Sequence, residues 1–95
     1  MNDFYVDPRA EQDFLTAVSW YAERSDSAGI AFADAVDGAF AEIVADPMRW
    51  PILGESFRGR IVDRFPYLIV YRLRFESIVI VAIAHTSRAV FWRDR

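Results

Sequence analysis

YLIVYRLRFESIVIVAIAH, residues 67–85, is the stretch on which the fold of this chain turns. Its first half alternates: Tyr67, Ile69, Tyr71, Leu73 and Phe75 fall on one side, and Leu68, Val70, Arg72 and Arg74 on the other. A repeat of two is the mark of a β-strand whose faces meet different surroundings. A second strand is expected from Ile78 to His85, with Glu76-Ser77 as the loop between them. That loop would set Phe75 opposite Ile78, Arg72 opposite Val81, Val70 opposite Ile83 and Leu68 opposite His85. Strands so close in sequence pair antiparallel. The aromatic side of Tyr67–Phe75 has to pack on the rest of the chain. The opposite side mixes Val79, Val81 and Ile83 with Arg72, Arg74 and His85.

Working upstream, the segment from Arg58 to Asp63 predicts one more strand, turned by Arg64-Phe65-Pro66. Before it the period changes to 3.6. Asp7-Pro8 reads as a helix start, because an Asp N-cap accepts an amide bond and Pro loses nothing at the first helical position. Ala10, Phe14, Ala17, Val18 and Tyr21 then mark a helix to about Arg24. Ser25-Asp26-Ser27 breaks it. Phe32, Val36, Phe40 and Ile43 mark a second helix, ended by Asp46-Pro47. Gly38, in its middle, is expected to let the neighbouring helix approach closely. Two helices joined so tightly form an antiparallel hairpin. Asp3–Val6 reads as a first strand and Met48–Phe57 as an irregular connection pinned by Trp50-Pro51. Trp20, Trp50 and Tyr21 read as core.

The fold class is therefore α+β. An N-terminal strand and a helical hairpin pack on one face of a small antiparallel sheet, in a single domain over residues 1–95. One layer of two helices covers one sheet face. The other is expected to be a half-apolar, cationic surface for a partner, unless the tail from Thr86 to Arg95 folds over it. Partner-binding candidates are Arg72, Arg74, Val79, Val81, Ile83 and Trp92, the last because it sits in a charged tail.

Composition narrows the chemistry. With 54% apolar residues the 95-residue chain has the makings of a dense core. It has no Cys and one His, which removes disulfides, thiolate zinc sites, Cys nucleophiles and His-rich metal sites. All eleven basic residues are Arg, so lysine Schiff bases and lysine general bases are excluded. Residues 1–47 hold two Arg against ten carboxylates and residues 48–95 nine Arg against four, giving −8 and +5 within a net −3. A uniformly basic nucleic-acid binder does not have that balance. Met1-Asn2-Asp3-Phe4 carries acid where a signal peptide has positive charge. The longest apolar run, Ile78–Ala84, has seven residues, against the ~20 of a membrane span. A cytoplasmic protein is expected, with no membrane contact, no metal and no cofactor.

The order of elements and several motifs resemble the RelE/ParE superfamily of bacterial toxins. The resemblance runs through Ala10, Asp13, Ala17 and Tyr21, then Phe32, Ile43, Pro47 and Trp50-Pro51. It is densest in Phe65-Pro66-Tyr67-Leu68-Ile69-Val70-Tyr71-Arg72, in Ile80–His85 and in Arg88. In the tail, Ala89-Val90-Phe91-Trp92 lacks a Pro that relatives often carry and is one residue shorter. The resemblance implies the toxin of a type II toxin–antitoxin (plasmid stabilisation) module, a growth inhibitor neutralised by a cognate antitoxin. It implies one of two targets, DNA gyrase or ribosome-bound mRNA. An mRNA endonuclease needs a base for the ribose 2′-OH, an acid for the leaving oxygen and cations for the phosphorane. His85, which resembles the general acid of some members, would supply the acid, and Arg60 and Arg88 the cations; Arg72, Tyr71 and Glu55 are the other available groups. The missing lysines and the acidic balance favour the gyrase branch. A non-toxic binding module, with the cationic face as a homodimer interface, is the reading from another class.

Overall fold

The computed structural model describes residues 3–88 and 90–95. The N-terminal charge reading involves Met1 and Asn2, and the tail comparison Ala89, which lie outside the described residues. The chain runs β1 (Asp3–Val6), α1 (Pro8–Arg24), α2 (Asp26–Ala45), β2 (Ile52–Gly54), β3 (Phe57–Ile61), β4 (Tyr67–Arg74) and β5 (Ser77–His85). Two 3₁₀ turns follow, Thr86–Arg88 and Phe91–Asp94. Among the described residues no helix is long and apolar enough to cross a membrane.

Both helix starts follow from side-chain chemistry. The Asp7 carboxylate accepts from the Arg9 amide at 2.8 Å, and the Arg9 guanidinium returns to both its oxygens at 3.0 and 2.9 Å. That Arg9 bond is the main reason the Asp7 carboxyl is held down at about 2. Ser25 serves two helices at once. Its N–H donates to the Tyr21 carbonyl, closing α1, while its hydroxyl accepts from the Ala28 amide at 3.0 Å, opening α2.

The hairpin closes at a different glycine from the one expected. A Cβ on Gly29 would lie 2.9 Å from the Ala22 Cβ, whereas one on Gly38 would meet nothing within 4 Å. Gly29, one turn from the Ser25 link, is where two helix backbones must touch. Gly38 lies on the exposed side of α2 and only weakens the helix. Gly38→Ala should therefore stabilise the fold by up to ~1 kcal/mol. Gly29→Ala should cost ~1–3 kcal/mol by forcing α1 and α2 apart. Urea melts of the two variants should move in opposite directions, and a shift of the same sign would reject the assignment.

The sheet has the order β1-β5-β4-β3-β2. The β2–β3–β4–β5 run is an antiparallel meander, and β1 joins the far edge of β5 in parallel, Asp3 beside Ser77 through Val6 beside Ile80. The connection between these two parallel strands runs through the helical hairpin and the rest of the meander, well above the dozen or so residues that parallel pairing needs. β2 is three residues inside the segment read as irregular, too short for any period to reveal.

The helix-side core gathers Ala10, Ala17, Phe32, Val36, Ala39 and Ile43 from the hairpin with Val62, Ile69, Tyr71, Ile78, Ile80 and Ile83 from the sheet side. Phe32 sits in an aromatic nest, with Tyr21, Phe65 and Tyr67 at ring-centroid distances of 5.1, 5.2 and 5.0 Å. This nest locks the β3–β4 turn onto the hairpin. Tyr71, fully buried, donates its hydroxyl to the Pro47 carbonyl at 2.7 Å, tying the end of α2 to β4. Burial also pushes the Tyr71 hydroxyl above its usual range.

Candidate functional site

The second sheet face is decided by a one-residue irregularity. Arg74 pairs with Ser77, so the loop is Phe75-Glu76 rather than Glu76-Ser77. Arg72 then lies opposite Val79, and Tyr71 opposite Ile80. A β-bulge follows, after which Val70 faces Ala82, Leu68 faces Ala84 and Tyr67 faces His85. An extra residue in one strand reverses the facing of everything beyond it. Val79, Val81, Ala82 and Ala84 therefore join the second face, while Ile83 turns into the helix-side core. His85 turns with it and stands edge-on to the Tyr67 ring, 5.2 Å between centroids.

The chain's own tail covers much of this face. The Phe91–Asp94 turn sets Trp92 on Phe57, 5.0 Å between centroids, and into a cluster with Val70, Val81, Ala82 and Ala84. Arg95 then crosses to α1 and grips Asp13 with two bonds, 2.7 and 3.3 Å. The same pair serves β5 beyond the end of β1. Asp13 accepts from the Ile83 amide at 3.1 Å, and Arg95 donates to the Val81 carbonyl at 3.1 Å. Backbone groups left without a neighbouring strand are thus satisfied by two side chains.

This corrects the expectation of a bare face. Val81, Ile83 and Trp92 are 1%, 3% and 3% exposed, sealed by the bulge and the tail. Burying a large indole against five apolar side chains outweighs leaving both sides wet. Trp92 is core, and Trp20, read as core, is 48% exposed with the Arg24 guanidinium 3.3 Å from its ring centre. What remains open is a strip toward the β4–β5 loop. Tyr5, Val79 and Arg72 stand side by side across β1, β5 and β4. Tyr5 and Arg74 are exposed, and Val79 and Arg72 half-buried. Arg72 also donates to the Arg95 carbonyl at 3.4 Å.

His85 and Arg88 meet in a separate cleft of about 430 Å³, lined also by Trp20, Tyr21, Pro66, Tyr67 and Ser87. The His85 Nδ1 accepts from the Ser87 amide at 3.1 Å and lies 2.8 Å from the Ser87 hydroxyl. Nδ1 is therefore the acceptor, and in the neutral ring the proton sits on Nε2. Burial holds the Tyr21 and Tyr67 hydroxyls above their usual range, with Arg88 pulling Tyr67 the other way. Neither phenol is ionised near neutral pH.

Arg60 is not part of that cleft. It lies on β3, two strands from β5 and so ~10 Å away across the sheet. Its guanidinium bonds Glu42 at 3.0 Å, Asp63 at 3.4 Å and the Ile61 carbonyl, and lies over the Trp50 ring. It is 7% exposed. Arg58 donates to the carbonyls of Met48 and Trp50, holding the connection after α2. Glu55 sits in the β2–β3 turn beside Trp92, away from His85. Of the three residues read as a catalytic set, two share a cleft and the third braces the end of α2.

Sequence reasoning assigns no role to Arg95 or Tyr5, and names Asp13 only among the residues of the family resemblance. Asp13 left a trace: with Ala10 three residues before it and Ala17 four after, it falls on the buried stripe of α1, where a carboxylate needs a partner.

Residues 4–90 match the family described as ParE toxin of type II toxin-antitoxin system, parDE. A solved structure titled "Chromosomal ParDE TA system from P. aeruginosa" superimposes with a TM-score of 0.77 at 16% identity, over 90% of this chain and 96% of that one. At that identity the likeness is one of fold. No curated protein matches.

Proposed function

Since the chain belongs to the ParE toxin family of type II toxin–antitoxin systems, we propose that it is the toxin of such a module, a cytoplasmic growth inhibitor silenced by a cognate antitoxin. Its target in this reading is DNA gyrase, bound rather than chemically altered. The observation that carries the non-catalytic reading is the separation of Arg60 from His85 and Arg88. A phosphorane needs its cations within a few ångströms of one another, and here one of three is committed to Glu42 and Trp50.

The antitoxin would lie along the strip of Tyr5, Val79, Arg72 and Arg74, beside the free edge of β1. Extended backbone can pair with that edge, and carboxylates can meet the guanidinium groups. Val81, Ile83 and Trp92 would join such an interface only if the tail were displaced. In the test, purified protein is added to a gyrase supercoiling reaction and to translating ribosomes. Blocked supercoiling with intact mRNA is expected. Cut mRNA that becomes intact with His85→Ala would replace this reading with the endonuclease one.

A further inference from the structure

Phe75 is 102% exposed, at the tip of the β4–β5 hairpin, with a φ of 57°. It is the first of the two loop residues, Phe75-Glu76, between the paired Arg74 and Ser77. Two-residue hairpin loops put glycine, or else Asn or Asp, where φ is positive, because a Cβ there crowds the backbone. A phenylalanine is among the poorest choices. Glu55 and Arg64 also take positive φ, at 51° and 67° in the neighbouring turns, but their charged ends are hydrated. Phe75 exposes a whole benzyl group and gains no contact for it. A lone exposed aromatic is ordinary; one held at an unfavourable backbone angle, at the tip of a hairpin, and packed on none of the described residues points to a function.

We infer that Phe75 is the anchor by which this protein engages its target, entering an apolar cavity of a folded protein whose rim is acidic where it meets Arg74. The inference rests on the toxin reading above and names the residue that makes contact. Among the described residues nothing walls the ring, and in this reading a partner supplies the walls. A cavity in a globular protein encloses the ring on every side, whereas a single extended or helical antitoxin segment covers one side of it. Among the described residues Arg74 has no ion-pair partner, and it leads directly into the loop. Phe and Arg are both enriched at protein interfaces over the rest of the surface.

The test is Phe75→Gly, which supplies the residue the loop geometry prefers and should leave the melting temperature unchanged or higher. Wild type and variant are expressed over an inducer series, with protein level and growth followed together. The variant is expected to need at least 10-fold more protein for the same growth arrest, while co-expression of the neighbouring open reading frame rescues growth in both. Equal arrest at equal level overturns the anchor and leaves the toxin reading standing. A wild type that never arrests growth overturns both. Retained arrest with lost rescue would reassign Phe75 to the antitoxin. A self-associated wild type made monomeric by the variant, at equal arrest, would reassign it to a second copy of this chain.

Discussion

Trp92→Ala should destabilise the protein by ~3–5 kcal/mol, the range for removing a buried indole from a packed cluster. Domains of this size have ~5–15 kcal/mol in total, so the variant should sit at the edge of folding at 37 °C. Among the described residues of the tail, Trp92 is the one that clusters with Phe57, Val70, Val81, Ala82 and Ala84. Its loss frees the tail as well as leaving a cavity. Urea unfolding should report the loss, and limited proteolysis should show early cleavage near Arg93. A cost below ~1 kcal/mol would mean that the tail does not close the second sheet face.

Asp13→Ala is expected to cost ~2–3 kcal/mol, for a different reason. The substitution leaves the Arg95 guanidinium and the Ile83 amide without the carboxylate that both use. Breaking a fully buried pair from one side costs ~3–5 kcal/mol. Here the two side chains keep 15% and 17% exposure, and water offsets part of the loss. Arg95→Ala should cost less, because the remaining carboxylate still accepts from Ile83. In the double variant the effects should fall short of their sum by ~1 kcal/mol or more. Strict additivity in that cycle would reject the latch. The two predictions separate apolar closure of the tail from its polar fastening.

Most of the fold was legible because its signals are local. Asp7-Pro8 and Ser25 fix helix ends through bonds to amides two and three residues away, and the alternation of Tyr67–Leu73 names the helix-facing side of β4 unaided. The turn at Phe75-Glu76 was misplaced by one residue for a physical reason: it has none of the Gly, Asn or Asp by which such loops are recognised. The facing of Ile83 and His85 could not be read at all. A bulge is a relation between two strands, and Val81 looks like any other residue of an apolar run.

Sequence by itself determined the helical hairpin, the meander, the α+β class and the exclusion of thiol and lysine chemistry, since spacing, capping residues and composition act within a few residues or need no geometry. The tertiary structure alone decided that the tail seals the face the hairpin leaves, that Arg60 braces α2 instead of joining His85, and that Asp13 meets Arg95 across 82 residues of chain. Each is a choice between burying a side chain here or leaving it in water. That choice depends on which distant surface is free to receive it, which no local pattern encodes.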